Sequence, residues 1–577
     1  MYIGERKSFP QMKEEEKMKK TIFKRLIALG LMITMVISAA GCGASNNSET
    51  ETKTTKESDA VTNNTVSGTE DEQSDEVVPG WQLNAEEDVT LSWYINFSWF
   101  TTAWGESLVS KAITEETGIN IDFIVPAGNE AEKLNSLIAS DSLPDIITLE
   151  RSTSQIGDLI EDDMVYALDE LAEEYDMYWF EVANTERVAW YTREDGHIYE
   201  YPNASFSASD YEENDNISAT QTFLVRKDIY EAIGSPDMTT QEGFKAAVKA
   251  AAEQFPEVNG QSLIPVGLHE FATTGNMSFN ILPLFLAIPF EKDGKAYDEY
   301  TDPEFVSWLK LFRELGEEGY LADDIFIDKR AQMEEKIAQG RYFCMIYQRT
   351  DMATQQKILY QNDPDSIYMA VDGPKNSNGD DHTLSGLGIR GWTVTMISKN
   401  CKYPDRAIQL MSYFMSEHGQ HMITLGVEGE TWDYVDGVPT MREEIRELAN
   451  TDRSAFDKQY GADAAYWMLH DSAMGLQWAV PPTEPLAQME EWTYPYVINA
   501  SQYEVVLATG SEEADIKSKV DNEWGVVLPK LLLAGSEEEF DTIWNEFLQK
   551  RQDWGYDKVL EAKTELMNKA KEKLGIE

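Results

Sequence analysis

VTLSWYINF (89–97), GESLVSKAITEET (105–117), NIDFIVP (120–126), EAEKLNSLIAS (130–140) and DIITLE (145–150) follow one another with only short breaks. The first, third and fifth are β-branched or apolar runs of strand length. The second carries Leu108, Val109, Ala112 and Ile113 at helical spacing, and Gly118 follows it as a C-cap. The fourth is a second amphipathic helix, and Pro144 ends the connection into the last strand. Strands that alternate with helices at these spacings predict a parallel α/β sheet with right-handed crossovers. Ligands of such sheets sit beyond the carboxyl ends of the strands. Those ends are Asn96–Trp99, Val125–Gly128 and Glu150–Ser152.

Upstream of this unit the chain changes character. Lys19, Lys20, Lys24 and Arg25 precede an apolar run, Leu26 to Ala40, that is closed by Gly41 and Cys42. The run is shorter than the roughly 20 residues of a permanent membrane helix. It resembles a bacterial lipoprotein signal (1–41), whose cysteine is lipidated and becomes the first residue after cleavage. Ala39 stands where Leu is usual, and an ordinary secretory signal with an incidental cysteine is the alternative. Met18 opens a better basic region than the acidic stretch before it, so it is the expected true start. Residues 43–80 carry nine acidic and two basic side chains and no aromatic one. With Cys42, they form a lipidated, disordered polar tether (42–80) ahead of a body at 81–577.

The whole chain has 577 residues and a formal charge of -55, with 103 acidic against 48 basic side chains. That field repels phosphate backbones, so nucleic acid is not an expected partner. Three cysteines and six histidines leave little material for a disulfide framework or a histidine metal site. There is no GxSxG, no phosphate loop and no HExxH, so no catalytic residues are assigned and no enzymatic activity is expected. GLGIRG (386–391) matches a dinucleotide pattern, but a strand-like run follows it where a helix should open. EENDN (212–216) and DDIFID (323–328) are acid-rich without EF-hand spacing. No cofactor is expected; a structural calcium stays open, with no ligands named. Cys344 and Cys401 read as a buried small hydrophobe and a loop thiol rather than a disulfide.

Further segments repeat the order of a known family. ASDSLPDII (139–147) is followed by DGHIYEYPN (195–203), TFLVRKDIYEAIG (222–234), EEKIAQGRYFCMIY (334–347) and a closing helical block over 530–570. Together with the opening unit they resemble the extracellular solute-binding lipoproteins of carbohydrate ABC importers, similar to the oligosaccharide- and alginate-binding receptors of Gram-positive bacteria. The resemblance implies a periplasmic-binding-protein-like type II fold, with two α/β lobes around a ligand cleft and a multi-strand hinge. Lobe one is expected at about 85–200 and 375–430, and lobe two at about 201–374 and 431–577.

A sugar ring offers an apolar CH face and a rim of hydroxyls, so its site needs aromatic platforms and planar hydrogen-bonding groups. SWYINFSWFTTAW (92–104) has that composition at the end of the first strand. Tyr94 and Asn96 share its more polar face, and Trp99 lies beyond it. Glu150 and Arg151 close the third strand. By resemblance, Tyr347 and Arg349, Arg390 and Trp392 near the hinge, Trp432, Trp478, Trp492 and Tyr494 join the candidates. Trp179, Trp308, Trp524, Trp544 and Trp554 read as core.

The expectation is a monomeric receptor, lipid-anchored on the outer face of the cytoplasmic membrane, that captures an oligosaccharide and passes it to an ABC permease. A binding protein for a peptide or cationic small molecule, and a surface glycoside hydrolase, are the alternatives.

Overall fold

The computed structural model describes residues 77–462, 468–478, 485–508 and 510–576. The signal segment 1–41, Cys42 and the tether up to residue 76 lie outside the described residues. The two main sheets are built from β1 (Val89–Ile95), β2 (Ile119–Ile124), β3 (Ile146–Glu150), β4 (Tyr201–Pro202), β5 (Gln221–Arg226), β6 (Ile264–Gly267), β7 (Tyr342–Gln348), β8 (Tyr368–Ala370) and β9 (Thr393–Ile397).

The first sheet runs β2-β1-β3-β9-β4. β1 pairs in parallel with β2, Val89 opposite Ile119, and with β3, Trp93 opposite Ile146. This is the parallel unit read from residues 89–150. β9 returns antiparallel, placing Thr393 opposite Glu150, and thereby brings Trp392 beside Arg151. Helix α1 (Leu108–Thr117) starts on Ser107, whose hydroxyl accepts from the Ser110 N–H, and ends on Gly118 at φ 70°. A Cβ at Gly118 would lie 2.6 Å from the Ala85 carbonyl oxygen, so left-handed geometry and close approach both demand glycine there. Helix α2 (Glu130–Ala139) turns Leu134 and Leu137 onto the core. The helix Pro404–Met415 buries every residue from Arg406 onward in the same core.

The second sheet runs β8-β5-β7-β6, with β7 antiparallel to β5 and parallel to β6. Its core holds Phe223, Phe244, Trp308 and Phe343, with Trp524, Trp544 and Phe547 from the C-terminal helices. The Arg551 guanidinium sits inside this layer, 2.7 Å from Asp298 Oδ1 and 4.0 Å from the centre of the Tyr556 ring. Trp179, Trp308, Trp524 and Trp544 are buried as expected, and Trp554 packs partly buried against the second core.

The division between the lobes departs from the expected one in two places. Trp432, Met441, Ile445, Phe456 and Trp478 pack into the core of the first sheet, not the second. Conversely, the stretch after residue 374 still belongs to the second: the Lys375 carbonyl accepts from Trp308 Nε1, and His382 Nδ1 bonds the Phe285 carbonyl at 2.8 Å. The chain crosses nearer 386–392. Beside that crossing Leu384–Ser385 pairs in parallel with Val497–Ile498, and Leu384 and Val497 pack on the second core. Among the described residues no helix is long and apolar enough to cross a membrane.

Candidate functional site

Between the two sheets lies a cavity of about 710 Å³. Arg151, one residue past the end of β3, lines it from the first lobe, and Gln221, Gln348 and Arg349 line it from the second. β5 and β7 are antiparallel and Gln221 pairs with Gln348, so both side-chain amides emerge at one sheet end. The site thus occupies strand ends of both lobes, where open α/β sheets place their ligands.

Arg349 is held firmly. Its Nε donates to the Ala219 carbonyl at 2.8 Å, Nη1 to Glu490 at 2.7 Å and Nη2 to Ser218 Oγ at 2.7 Å. Burial lowers its pKa, against the pull of Glu490, and a guanidinium so held stays in one orientation. Arg151 Nη1 lies 3.5 Å from Glu504 Oε2, and Arg390 Nη1 donates to the Glu504 backbone carbonyl at 2.8 Å. Burial raises the Glu504 pKa, opposed by these two guanidiniums, and burial with neighbouring Arg151 lowers that of Arg390.

Trp99, Trp392 and Phe97 form a second cluster next to Arg151. The indoles of Trp99 and Trp392 stack at 5.9 Å and 14°, and Phe97 packs on both at 5.3 and 5.2 Å. The Arg151 N–H donates to the Trp392 carbonyl, which ties the cluster to the cavity wall. Trp99 is 52% exposed.

Other expected site residues fall elsewhere. Tyr94 is fully buried and donates its hydroxyl to Asn96 Oδ1 at 2.7 Å, because helices cover both faces of a mostly parallel sheet. Burial accordingly raises its pKa. Asn96 is half-buried and occupied by that bond. Tyr347 is fully buried against His269. Trp432 donates to the Gly426 carbonyl and packs on His421, as does Trp478, all within the first core. Glu150 turns back to cap Ser152 of its own turn. Trp492 donates to Asp372 and stacks on Phe285, and Tyr494 is partly buried beside it.

Lining residues that the sequence did not single out include the polar Thr220, Lys357, Arg446, Asn450 and His470 and the apolar Phe206, Met441, Phe456 and Leu476. Arg446, Ala449 and Asn450 stand at i, i+3 and i+4 on the helix Glu443–Thr451, a spacing that shares one face. Read as a second-lobe helix, it gave no reason to look there. Among the described residues no group of three or more His, Cys, Asp or Glu side chains is placed to hold a metal. Cys344 and Cys401 are both buried free thiols, and Cys344 Sγ lies 3.4 Å from the Pro265 carbonyl oxygen.

Two α/β lobes of this strand order, with a cavity of mixed polar and apolar lining at their strand ends, define a two-lobe binding protein of type II architecture. The chain belongs to the bacterial extracellular solute-binding protein family, whose model matches residues 109–427. This is a family of binding proteins, not of enzymes. The chain is 20% identical over 347 residues to Lipoprotein LipO of Bacillus subtilis (strain 168), covering 58% of this chain and 65% of that one, so it spans less than two thirds of that relative. The fold is that of alginate-binding protein AlgQ2, at TM-score 0.63 and 18% identity, covering 84% of this chain and 98% of that one. It is equally that of the S. pneumoniae ABC-transporter substrate binding protein FusA, solved with kestose, at TM-score 0.63 and 16% identity, covering 84% and 100%.

Proposed function

We propose that the protein is a lipid-anchored receptor that captures an oligosaccharide between its lobes and delivers it to an ABC permease. The observation that carries this reading is the cavity itself: it is roomy, shared by both lobes, and lined by amide, hydroxyl and guanidinium groups suited to a rim of sugar hydroxyls. The solved neighbours named for alginate and kestose support the same class of ligand. A ligand held by both lobes favours the closed arrangement by the difference between its affinities for the two states. No bond is made or broken.

The test is a thermal-shift screen of the soluble body against saccharides, peptides and polyamines, with the saccharide recovered afterwards. A ligand bound only by the folded form raises the midpoint. An oligosaccharide that does so and returns intact supports the receptor. Shifts from peptides or polyamines alone, or cleavage of the sugar, overturn it.

A further inference from the structure

The charge of the cavity opposes that of the chain. Across the whole sequence acidic side chains outnumber basic ones 103 to 48. The described residues that line the cavity include four cationic side chains, Arg151, Arg349, Lys357 and Arg446, and one carboxylate, Glu504. A second carboxylate, Glu490, is spent on Arg349. Lys357 is anchored on Asn450 Oδ1 at 3.0 Å. Arg446, half-buried on the same helix face, has no ion pair among the described residues. A surface selected for acidity by solubility alone has no reason to gather cations in the cavity between its lobes. A low-dielectric recess of one sign concentrates ligands of the other.

We infer that the solute is an anionic oligosaccharide, whose carboxylate or sulfate groups are received by Arg446 and its cationic neighbours. This rests on the receptor reading and names its substrate class. The guanidinium fork matches either oxyanion by paired, charge-assisted hydrogen bonds. The amide and hydroxyl groups of Gln221, Gln348 and Thr220 remain for the sugar hydroxyls.

Calorimetry on the soluble body tests it with four probes: a trigalacturonate, its carboxyl-reduced neutral counterpart, a sulfated oligosaccharide and a neutral fructan. The expected result is binding of one acidic probe at least about tenfold tighter than its neutral counterpart, weakening as salt is raised. Preference for carboxylate or for sulfate identifies the anion. Arg446→Met should lose about tenfold toward the acidic probe, clearly more than it loses toward the neutral counterpart, while the melting midpoint holds. Arg446→Lys should recover part of the loss. Neutral probes that bind as well as acidic ones, without salt dependence, overturn the anionic assignment and leave the receptor standing. Failure of every saccharide, with peptides or polyamines bound, removes the receptor reading as well.

Discussion

The phenol ring of Tyr347 lies 4.0 Å, centre to centre, from the imidazole of His269, the two planes inclined by 20°. Tyr347 is fully buried in the last turn-bound stretch of β7, and its carbonyl accepts from Thr222 Oγ1 across the sheet at 2.9 Å. The residue therefore packs within the core of the second lobe. Tyr347→Ala should cost about 3–5 kcal/mol, the range for emptying an aromatic site in a core. Urea unfolding measures it. Ligand affinity of the folded fraction should change less than about twofold. A variant of parental stability that no longer binds would put Tyr347 back in the site.

Tyr347 also shows where the sequence stops being informative. Strand, helix and cap signals over 89–150 come from local chemistry, and the sheet follows them: Gly118 caps where its backbone must turn left-handed, and β1 lies between two parallel neighbours. Burial of one strand end against another element is a tertiary fact. Tyr94 and Tyr347 have the residue type of a sugar platform, yet each is enclosed by packing from segments far away in the chain. Trp99 and Trp392 could be singled out as candidates from the sequence because each lies just outside a strand. Arg446 was not, since its helix reads as an ordinary amphipathic one until its neighbours are known. Trp432 and Trp478 both join the first core by packing on His421, a contact no local pattern announces.

Arg187 joins three parts of the chain. Its buried guanidinium meets Asp471 at 2.6 Å, Asp210 at 3.1 Å and the Ser205 carbonyl at 2.8 Å. Arg187→Met leaves two carboxylates without their cation, and removing one partner of a buried pair costs about 3–5 kcal/mol. Burial alone would raise the Asp471 pKa, but Arg187 and the Met474 N–H hold it below the usual carboxylate range. Its contribution is then present above the unfolded value of about 3.9 and is lost as pH falls through the lower folded one. Asp471→Asn should be less stable than the parent at neutral pH, with the gap narrowing as acid is added. Unfolding midpoints at stepped pH decide it; a gap that stays constant into acid contradicts the pairing.

His418 and Glu116 make the opposite case. Their side chains are 2.8 Å apart, and the hydrogen bond to Glu116 raises the His418 pKa. A raised histidine stabilises fully below its unfolded value of about 6.5. That stability is lost as pH rises through the higher folded value. In NMR titration Glu116→Gln should bring the His418 imidazole back down. Its thermal midpoint should fall short of the parent in mild acid and approach it in mild alkali. An unshifted imidazole would show the bond to be too exposed to matter.

Cys42 is expected to carry the lipid anchor, on the strength of the basic stretch, the short apolar run and the small residues before it. Cys42→Ser should leave the protein in the medium or as an uncleaved precursor. Mass spectrometry of the parent reads the answer, and an unmodified mature end elsewhere removes the anchor.

Trp99 and Trp392 offer an exposed aromatic stack beside the Arg151 wall of the cavity, whose own lining carries Phe206 and Phe456. Their indoles are stacked, Phe97 braces both, and the Trp392 carbonyl holds the Arg151 N–H at 3.1 Å, so the pair stands beside a cation that lines the cavity. Half of Trp99 stays in solvent, although a large apolar side chain gains by being covered. A sugar ring laid on that surface would bury its CH face there while its charged or hydroxyl groups reach Arg151. Stacking on aromatics contributes about 1–3 kcal/mol per ring where it has been measured on bases, which corresponds to roughly ten- to a hundredfold in affinity. Trp99→Ala should lose that much, chiefly through faster dissociation, with little change in stability because the side chain is exposed. Trp392→Ala should lose binding and some stability together, since it also supports Phe97. Stopped-flow dissociation and calorimetry with a confirmed ligand separate the two effects. If both variants stay folded and hold the ligand as the parent does, the stack is a brace for the strand ends and the sugar sits on the polar wall alone.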